Sequence, residues 1–433
     1  MALSLQRQKT EYTIGAGAAG DLKIRMLNWS QQFSIHIFLD SNNYGSAYSG
    51  YECLLAAGSQ HFLVSNGEEQ LNQLFALHKE HNDWLFGHIA YDYKNALFHK
   101  LSSAHQPTSD FPHLHFFIPE TVCYINRDQT TLTIESVYNT DLIYQQINEV
   151  VAVPESEVKL SFTSLFNKAD YIQTVEAIRS HIKEGDCYEL NLCNKGYCEN
   201  AVIQPLPVFH ALNKLSPAPF AAYYRLNEQY MMCASPERYI RKEGDVVLSQ
   251  PIKGTARRSI DKIEDEQIKD RLHNDIKERA ENVMIVDLVR NDLAHSCKIG
   301  TVNVDELFGI YTYPQVHQMI STVSGQLKDG LPFTEAIRHS FPMGSMTGAP
   351  KYKVMQLIAH FERANRELFS GSVGYITPSG DFDFNVVIRS LFYNSATQYL
   401  YYQTGGAITY DSVPEQEWEE MRLKAWALER IFA

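Results

Sequence analysis

Lys253 stands in Gln250-Pro251-Ile252-Lys253-Gly254-Thr255, directly after the strand-like run Val246-Val247-Leu248. A lysine held on a glycine-flanked turn is either a surface charge or a nucleophilic amine. Further along, Glu278 and Glu281 are spaced i and i+3, which places both carboxylates on one face of a helix. Glu417 and Glu420 repeat that spacing near the C-terminus. A single pair reads as a solvated charged face with a cap. This first pair, however, runs into Val283, Met284, Ile285, Val286 and Leu288, so it enters an apolar stretch. Carboxylates drawn toward a core need partners or a cation. Two such pairs point to a shared hard cation, and Mg2+ suits a few carboxylates completed by water and substrate oxygens.

Other residues carry weaker signals. Glu237, in Ser235-Pro236-Glu237-Arg238, is a surface carboxylate beside an arginine or, if burial raises its pKa, a general acid. Phe341-Pro342-Met343-Gly344-Ser345-Met346-Thr347-Gly348-Ala349-Pro350-Lys351 looks like a phosphate loop but lacks the P-loop spacing. It is a structural turn, or a place where backbone amides and Thr347 hold a carboxylate at a helix start. Gly405-Gly406 marks a tight turn or a close approach of backbone to an anion. Arg389 ends the run Asn385-Val386-Val387-Ile388, and Tyr375 is expected on a neighbouring strand. Together they can clamp a carboxylate, with arginine as a fork donor.

The elements that must position these groups follow from periodicity. Strands are expected over 33–39, 84–93, 114–118 and 130–134, with one helix over 68–79. Ala152-Val153-Pro154-Glu155-Ser156-Glu157 reads as a connector within 151–165. It separates an N-terminal sheet-contributing region, 1–150, from a catalytic domain, 165–433. In the latter, Tyr171, Val175, Ile178 and Ile182 stripe a helix over 169–184, closed by Gly185. A long helical region covers 261–294, two helices flank the glycine-rich turn in 331–366, three strands fill 370–410, and a final helix runs from Pro414 to Phe432. Strands and helices do not alternate strictly, which disfavours a doubly wound sheet. An α+β fold on large antiparallel sheets fits better.

Bulk properties exclude several classes. The chain has 433 residues, 44% of them apolar, with 25 Tyr and 22 Phe. Its net charge of −13 and dispersed basic residues disfavour nucleic acid. The cysteines (53, 123, 187, 193, 198, 233 and 297) form no CxxC pair, so reduced thiols in a cytoplasmic protein are expected. Cys193 and Cys198 lack nearby histidines for zinc. The stretch Met1 to Gln8 is too polar for a signal peptide, and no apolar run is long enough to span a membrane.

Taken together, Gly185 to Leu192, Ser235 to Tyr239, Pro251 to Thr255, Glu281 to Leu293, Phe341 to Lys351, Gly371 to Tyr375 with Ile388-Arg389, and Gly405 to Lys424 resemble the chorismate-utilising enzymes. Within that family they look most like the aminodeoxychorismate-forming, para-aminobenzoate branch. The stretches run in family order across about 185–425; upstream, Phe86 to Asp92 matches more weakly. The resemblance implies two large orthogonally packed antiparallel sheets flanked by helices. It implies Mg2+ on Glu281 and Glu420, supported by Glu278 and Glu417, bridging to the ring carboxylate of chorismate. Glu237 is then the general acid at the departing 4-hydroxyl. Arg389 and Tyr375, helped by Gly405 and Gly406, hold the enolpyruvyl carboxylate, and Thr347 and Lys424 line the site. Lys253 attacks ring C2, after which ammonia adds at C4 and expels it to give 4-amino-4-deoxychorismate. That chemistry needs a neutral amine, so a pKa lowered by burial or by neighbouring cations is expected.

Departures qualify the resemblance. Gln318 stands where the family often has histidine, with His317 shifted by one and so facing the other way on a strand. Ala407 replaces a third glycine, and Glu189 a usual glutamine. Ser216-Pro217-Ala218-Pro219-Phe220 departs from the tryptophan-binding segment of anthranilate synthases, so tryptophan feedback is not expected. Anthranilate synthase component I, which carries alanine in place of Lys253, is the nearest alternative; an isochorismate synthase would carry a base lysine near Glu189. A non-catalytic chorismate-binding subunit is the other competing reading. With no glutaminase unit and no lyase extension evident, ammonia is expected from a separate glutamine amidotransferase subunit and pyruvate release from another enzyme.

Overall fold

The computed structural model describes residues 6–44, 48, 50–102, 105–149, 158–313 and 316–433. The connector Ala152 to Glu157 and the first five residues of the N-terminal stretch lie outside the described residues. Two large sheets, antiparallel in every pairing described, form the molecule: one of 12 strands and one of 10 among the described residues. Helices flank them, so the fold is α+β as expected.

The N-terminal region is woven into both sheets. Ile35–Asp40 pairs with Phe220–Leu226 in the first sheet, and Leu85–Ile89 pairs with Ser372–Ile376 in the second. The main core lies between the sheets and draws Ile37, Phe86 and Phe116 from the N-terminal third and Tyr239, Val323, Phe384 and Tyr401 from the remainder. Burying one apolar face per sheet at about 25 cal/mol per Å2 makes that layer the main stabilising term. A second apolar cluster covers the outer side of the first sheet with the helices Ala19–Ser30, Pro205–Leu215 and Pro414–Arg430.

Several elements differ from expectation. The helical region over 261–294 is two helices, Lys262–Asn274 and Ile276–Ser296, broken at Asp275. Asp275 leaves helical geometry and caps the second helix by accepting from the Glu278 N–H. Residues 370–410 hold four strands, because Tyr399–Ile408 follows Ser390–Asn394 through a tight turn. The strand expected over 84–93 ends at Ile89 and gives way to a 3-10 turn, Tyr91–Tyr93. Three N-terminal helices, Ala19–Ser30, the short Lys94–Leu97 and Thr140–Glu149, stand beyond the single one expected there.

Candidate active site

The chain changes sheets twice at one place, and both crossings carry a charged residue. Gln229–Ser235 belongs to the first sheet and Arg238–Glu243 to the second, so Pro236-Glu237 is a crossover. Phe382–Asn385 and Ser390–Asn394 make the reverse passage through Val386 to Arg389. The crossings are stitched together: Val386 N–H donates to the Glu237 carbonyl at 3.0 Å and Ala234 N–H to the Arg389 carbonyl at 3.1 Å. Glu237 and Arg389 therefore converge where the sheets part.

Burial pushes the Glu237 carboxyl up to about 7, against the pull of Ser345, Lys253, the Ile252 N–H and Arg389. A carboxylic acid poised near neutrality is suited to proton donation. Arg389 is half-buried and has a positive φ of 51°, unusual for a residue with a side chain. Burial lowers its pKa, partly offset by the nearby Glu237 charge. Its guanidinium forms no hydrogen bond or close ion pair with any described side chain. A desolvated guanidinium of this kind calls for an anionic ligand.

Lys253 lies on the edge strand Ile252–Arg257 of the second sheet and is only 9% exposed. Gly254 follows with φ +89°, and a Cβ there would stand 3.1 Å from a Glu278 carboxylate oxygen. That conformation and that closeness require glycine. The Lys253 ammonium donates to Glu189 Oε1 at 2.6 Å, an ion pair that bridges the second sheet to the first. The expected depressed pKa is not what the structure shows. Burial does act to lower it, but the anions Glu189, Glu281 and Glu237 outweigh burial and raise it. The neighbours of this lysine are carboxylates, not cations, so in this state it is an ammonium.

The four expected metal ligands are brought together from two helices. Glu278 and Glu281 come from Ile276–Ser296, and Glu417 and Glu420 from Pro414–Arg430. Glu417 is buried, Glu278 and Glu281 half-buried, and Glu420 at the exposed rim. Burial raises Glu278 and Glu417 and pushes Glu281 up to about 7. Lys424 lowers Glu420, contacting it at 2.8 Å while also donating to the Gly405 carbonyl at 2.9 Å. A residue that sequence reasoning missed sits between the helices. The Lys277 ammonium lies 3.7 Å from Glu281 and 3.9 Å from Glu417. It is a stand-in cation where the two pairs face each other. An all-oxygen set open on one side, already holding a positive charge, fits a hard divalent ion completed by substrate and water. The signal for Lys277 was its i, i+4 spacing to Glu281.

The glycine pair divides its tasks. A Cβ on Gly405 would stand 2.3 Å from the Leu192 carbonyl, so the close strand pairing demands glycine. A Cβ on Gly406 would point at Glu417, Glu420 and Lys424 at 3.4 to 3.8 Å, so this position opens onto the carboxylates. Thr347 is fully buried, its hydroxyl donating to the Met343 carbonyl at 3.0 Å. The turn that carries it is anchored by Arg366, which bonds the Met346 carbonyl at 2.6 Å, the Asn191 carbonyl at 2.8 Å and the Glu362 carboxylate at 2.7 Å. Ser345, beside Glu237, was also missed; an unremarkable serine in a turn gives no sequence signal.

Tyr375 is not brought to Arg389. Its ring packs with Tyr51, Trp84 and Phe86. It lines a separate cavity with Asp40, Glu52, Phe220 and Arg238. The expected Arg389–Tyr375 clamp is therefore corrected: strand adjacency was real, but Tyr375 pairs opposite Asp383 and Phe86, away from the crossover. His317 turns away as expected, bonding Asp265 at 3.0 Å, while Gln318 is 1% exposed with an unpartnered side-chain oxygen. All seven cysteines are free. No helix among the described residues is long and apolar enough to cross a membrane.

The chain belongs to the chorismate binding enzyme family, whose profile matches residues 34–430. It is 32% identical over 360 residues to aminodeoxychorismate synthase component 1 of Bacillus subtilis (strain 168), covering 79% of this chain and 76% of that protein. It is 42% identical over 256 residues to aminodeoxychorismate synthase of Streptomyces pristinaespiralis, covering 59% of this chain but 35% of that longer one. Among solved structures, anthranilate synthase component I from Streptococcus pneumoniae TIGR4 superposes with a TM-score of 0.78 at 22% identity, covering 89% of this chain and 93% of that one. That likeness establishes the fold.

Proposed function

We propose that this chain is the synthase subunit that converts chorismate and ammonia to 4-amino-4-deoxychorismate. The observation that carries the reading is Lys253: a buried amine facing Glu189, Glu237 and Glu281 within a chorismate-binding fold. In this reading the Lys253 nitrogen attacks ring C2. Glu237, poised near neutrality, delivers its proton to the 4-hydroxyl as the C4–O bond breaks. Arg389 holds the enolpyruvyl carboxylate, with the backbone at Gly405 and Gly406, and Thr347 and Lys424 line the remaining wall. Glu281 and Glu420, with Glu278 and Glu417, would hold Mg2+; when bound, it supplies positive charge against the ring carboxylate. Ammonia then takes C4, the lysine leaves, and Glu237 recovers a proton from the new ammonium.

The subunit is read as cytoplasmic and as drawing ammonia from a separate glutamine amidotransferase subunit. The name component 1 carried by the Bacillus relative supports a divided enzyme. The test is product analysis with purified protein, chorismate, Mg2+ and ammonium, comparing wild type with Lys253→Ala. 4-Amino-4-deoxychorismate from the wild type, lost in the variant, is the expected result. Anthranilate from the wild type moves the protein to the other branch, and no consumption of chorismate sinks the synthase reading. Glutamine should replace ammonium only when an amidotransferase subunit is added.

A further inference from the structure

The proposed reaction starts from an amine, yet Lys253 is an ammonium in this structure. Something must take its proton where the lysine is buried. The carboxylates facing it are Glu189 from the strand Glu189–Cys198, Glu281 from the helix Ile276–Ser296 and Glu237 from the crossover. Glu278 and Glu420 act on it from farther away. Glu237 is assigned to the leaving hydroxyl, and Glu281 to the cation. Glu189 is the carboxylate in ion-pair contact with the amine among the described residues, at 2.6 Å. It is 0% exposed, and its second oxygen, Oε2, has no hydrogen-bond partner. A buried polar atom normally has at least one hydrogen-bond partner, so this unpartnered oxygen is an exception that leaves room for a proton.

Its placement is fixed. Glu189 pairs with Ala349 across the strand edge, and Asn191, two residues on, donates to the Ser345 carbonyl at 3.0 Å and has its own carbonyl held by Arg366. The strand that carries this carboxylate is thus tied to the turn that carries Ser345 and Thr347.

We propose that Glu189 is the proton acceptor that activates Lys253, and that it returns the proton when the lysine leaves. This rests on the synthase reading above. One N–H bond of the ammonium breaks and one O–H bond forms on Glu189, the electron pair staying on nitrogen. The pair passes from ammonium–carboxylate to amine–acid with no change in net charge. Substrate that closes the site and excludes water favours the neutral form, because separated charges are costly there. The nitrogen pair then forms the N–C2 bond, the C1=C2 π pair moves to C1–C6, the C5=C6 pair moves to C4–C5, and C4–O breaks with the Glu237 proton to give water. When ammonia adds at C4, the N–C2 pair returns to the lysine, which recovers its proton from Glu189.

This mechanism predicts a particular pH dependence. A pair that exchanges its proton internally needs no titration, whereas a lysine without an acceptor must lose its proton to solvent. The experiment mixes wild type or Glu189→Gln with chorismate and Mg2+ in the absence of ammonia. It then follows the rate at which Lys253 gains the mass of one chorismate less one water. Glutamine preserves shape and hydrogen bonding, and a melting curve checks the fold. Because the Glu237 limb is common to both proteins, the ratio of wild-type to variant rate isolates Glu189. The ratio should rise about tenfold for each pH unit below the point where the variant lysine titrates. A ratio that stays flat, or falls as pH is lowered, overturns the role and makes Glu189 a restraint on the lysine while leaving the synthase reading intact. Wild type that forms neither adduct nor, with ammonia, product overturns the synthase reading itself and this role with it.

Discussion

Replacing Glu237, the proposed general acid, by glutamine removes a charge that destabilises the fold. The side chain is 5% exposed, and its carboxyl is pushed from 4.5 up to about 7, chiefly by burial. The folded pKa is the higher one, so the unfolded chain ionises first as pH rises. Stability is unaffected below the unfolded value, is lost progressively between the two, and the loss is complete above about 7. With each unit worth about 1.4 kcal/mol, the full shift corresponds to roughly 3 kcal/mol, of which about 2.5 develops between about pH 5 and about pH 8. Glu237→Gln escapes this term. Its stability relative to wild type should therefore improve by about 2 to 3 kcal/mol on going from pH 5 to pH 8. Urea unfolding midpoints of both proteins at the two pH values measure it. Meanwhile activity should fall by about 100-fold or more, the usual contribution of a general acid. A stability difference that does not change with pH would refute the burial argument. An active variant would refute the general-acid role even if the stability result held.

Other perturbations probe the rest of the site. Arg389→Ala removes a guanidinium awaiting an anion, and kcat/KM should drop by about 10- to 150-fold, the equivalent of 1.5 to 3 kcal/mol for a charged hydrogen bond; an unchanged value removes Arg389 from substrate binding. Gly406→Ala should keep the melting temperature but raise KM by about tenfold, near 1.4 kcal/mol. Gly405→Ala, forced against the Leu192 carbonyl, should instead lower the melting temperature, and equal behaviour of the two would contradict the assigned division. Lys277→Gln removes the cation between the carboxylate pairs, so calorimetric titration should show tighter Mg2+ binding; weaker binding would show that Lys277 assists the ion. Arg366→Met strands Glu362 without its buried partner and should destabilise the protein by about 3 to 5 kcal/mol, read from urea midpoints.

The sequence made the chemistry legible where spacing is local. Glu278 with Glu281 and Glu417 with Glu420 are each set by one helix turn, and the structure brings the two pairs face to face. Gly254 was legible too, since a lysine between strand and glycine announces a special backbone. What sequence could not carry is partnership across sheets. Glu189 and Lys253 are 64 residues apart and belong to different sheets, so only the fold reveals that the lysine proposed as nucleophile faces an anion. The same blindness produced the expectation of a lowered lysine pKa, because burial can be guessed from a chain whereas the sign of the neighbours cannot. Tyr375 failed for a related reason. Being on an adjacent strand does not specify which side of a crossover a ring occupies, and its aromatic partners come from the N-terminal region.

That weaving also explains why the site stands at the parting of the sheets. A continuous strand alternates its side chains and satisfies its backbone along its length. At Pro236-Glu237 and Ile388-Arg389 the chain leaves one ladder before joining the next, and the two crossovers brace each other. Side chains there are freed from alternation yet held by sheets on both sides. Glu237 can thus be buried, and Arg389 half-buried, with few partners of their own, a costly arrangement that two large sheets sustain and that a ligand would relieve. The helices contribute the opposite kind of group. Their carboxylates approach from the rim, where Glu420 remains exposed and an ion can enter. The neutral-poised acid and the guanidinium thus belong to the sheets, the carboxylates proposed to hold a cation belong to the helices, and Lys253, on an edge strand between them, is the group that meets both.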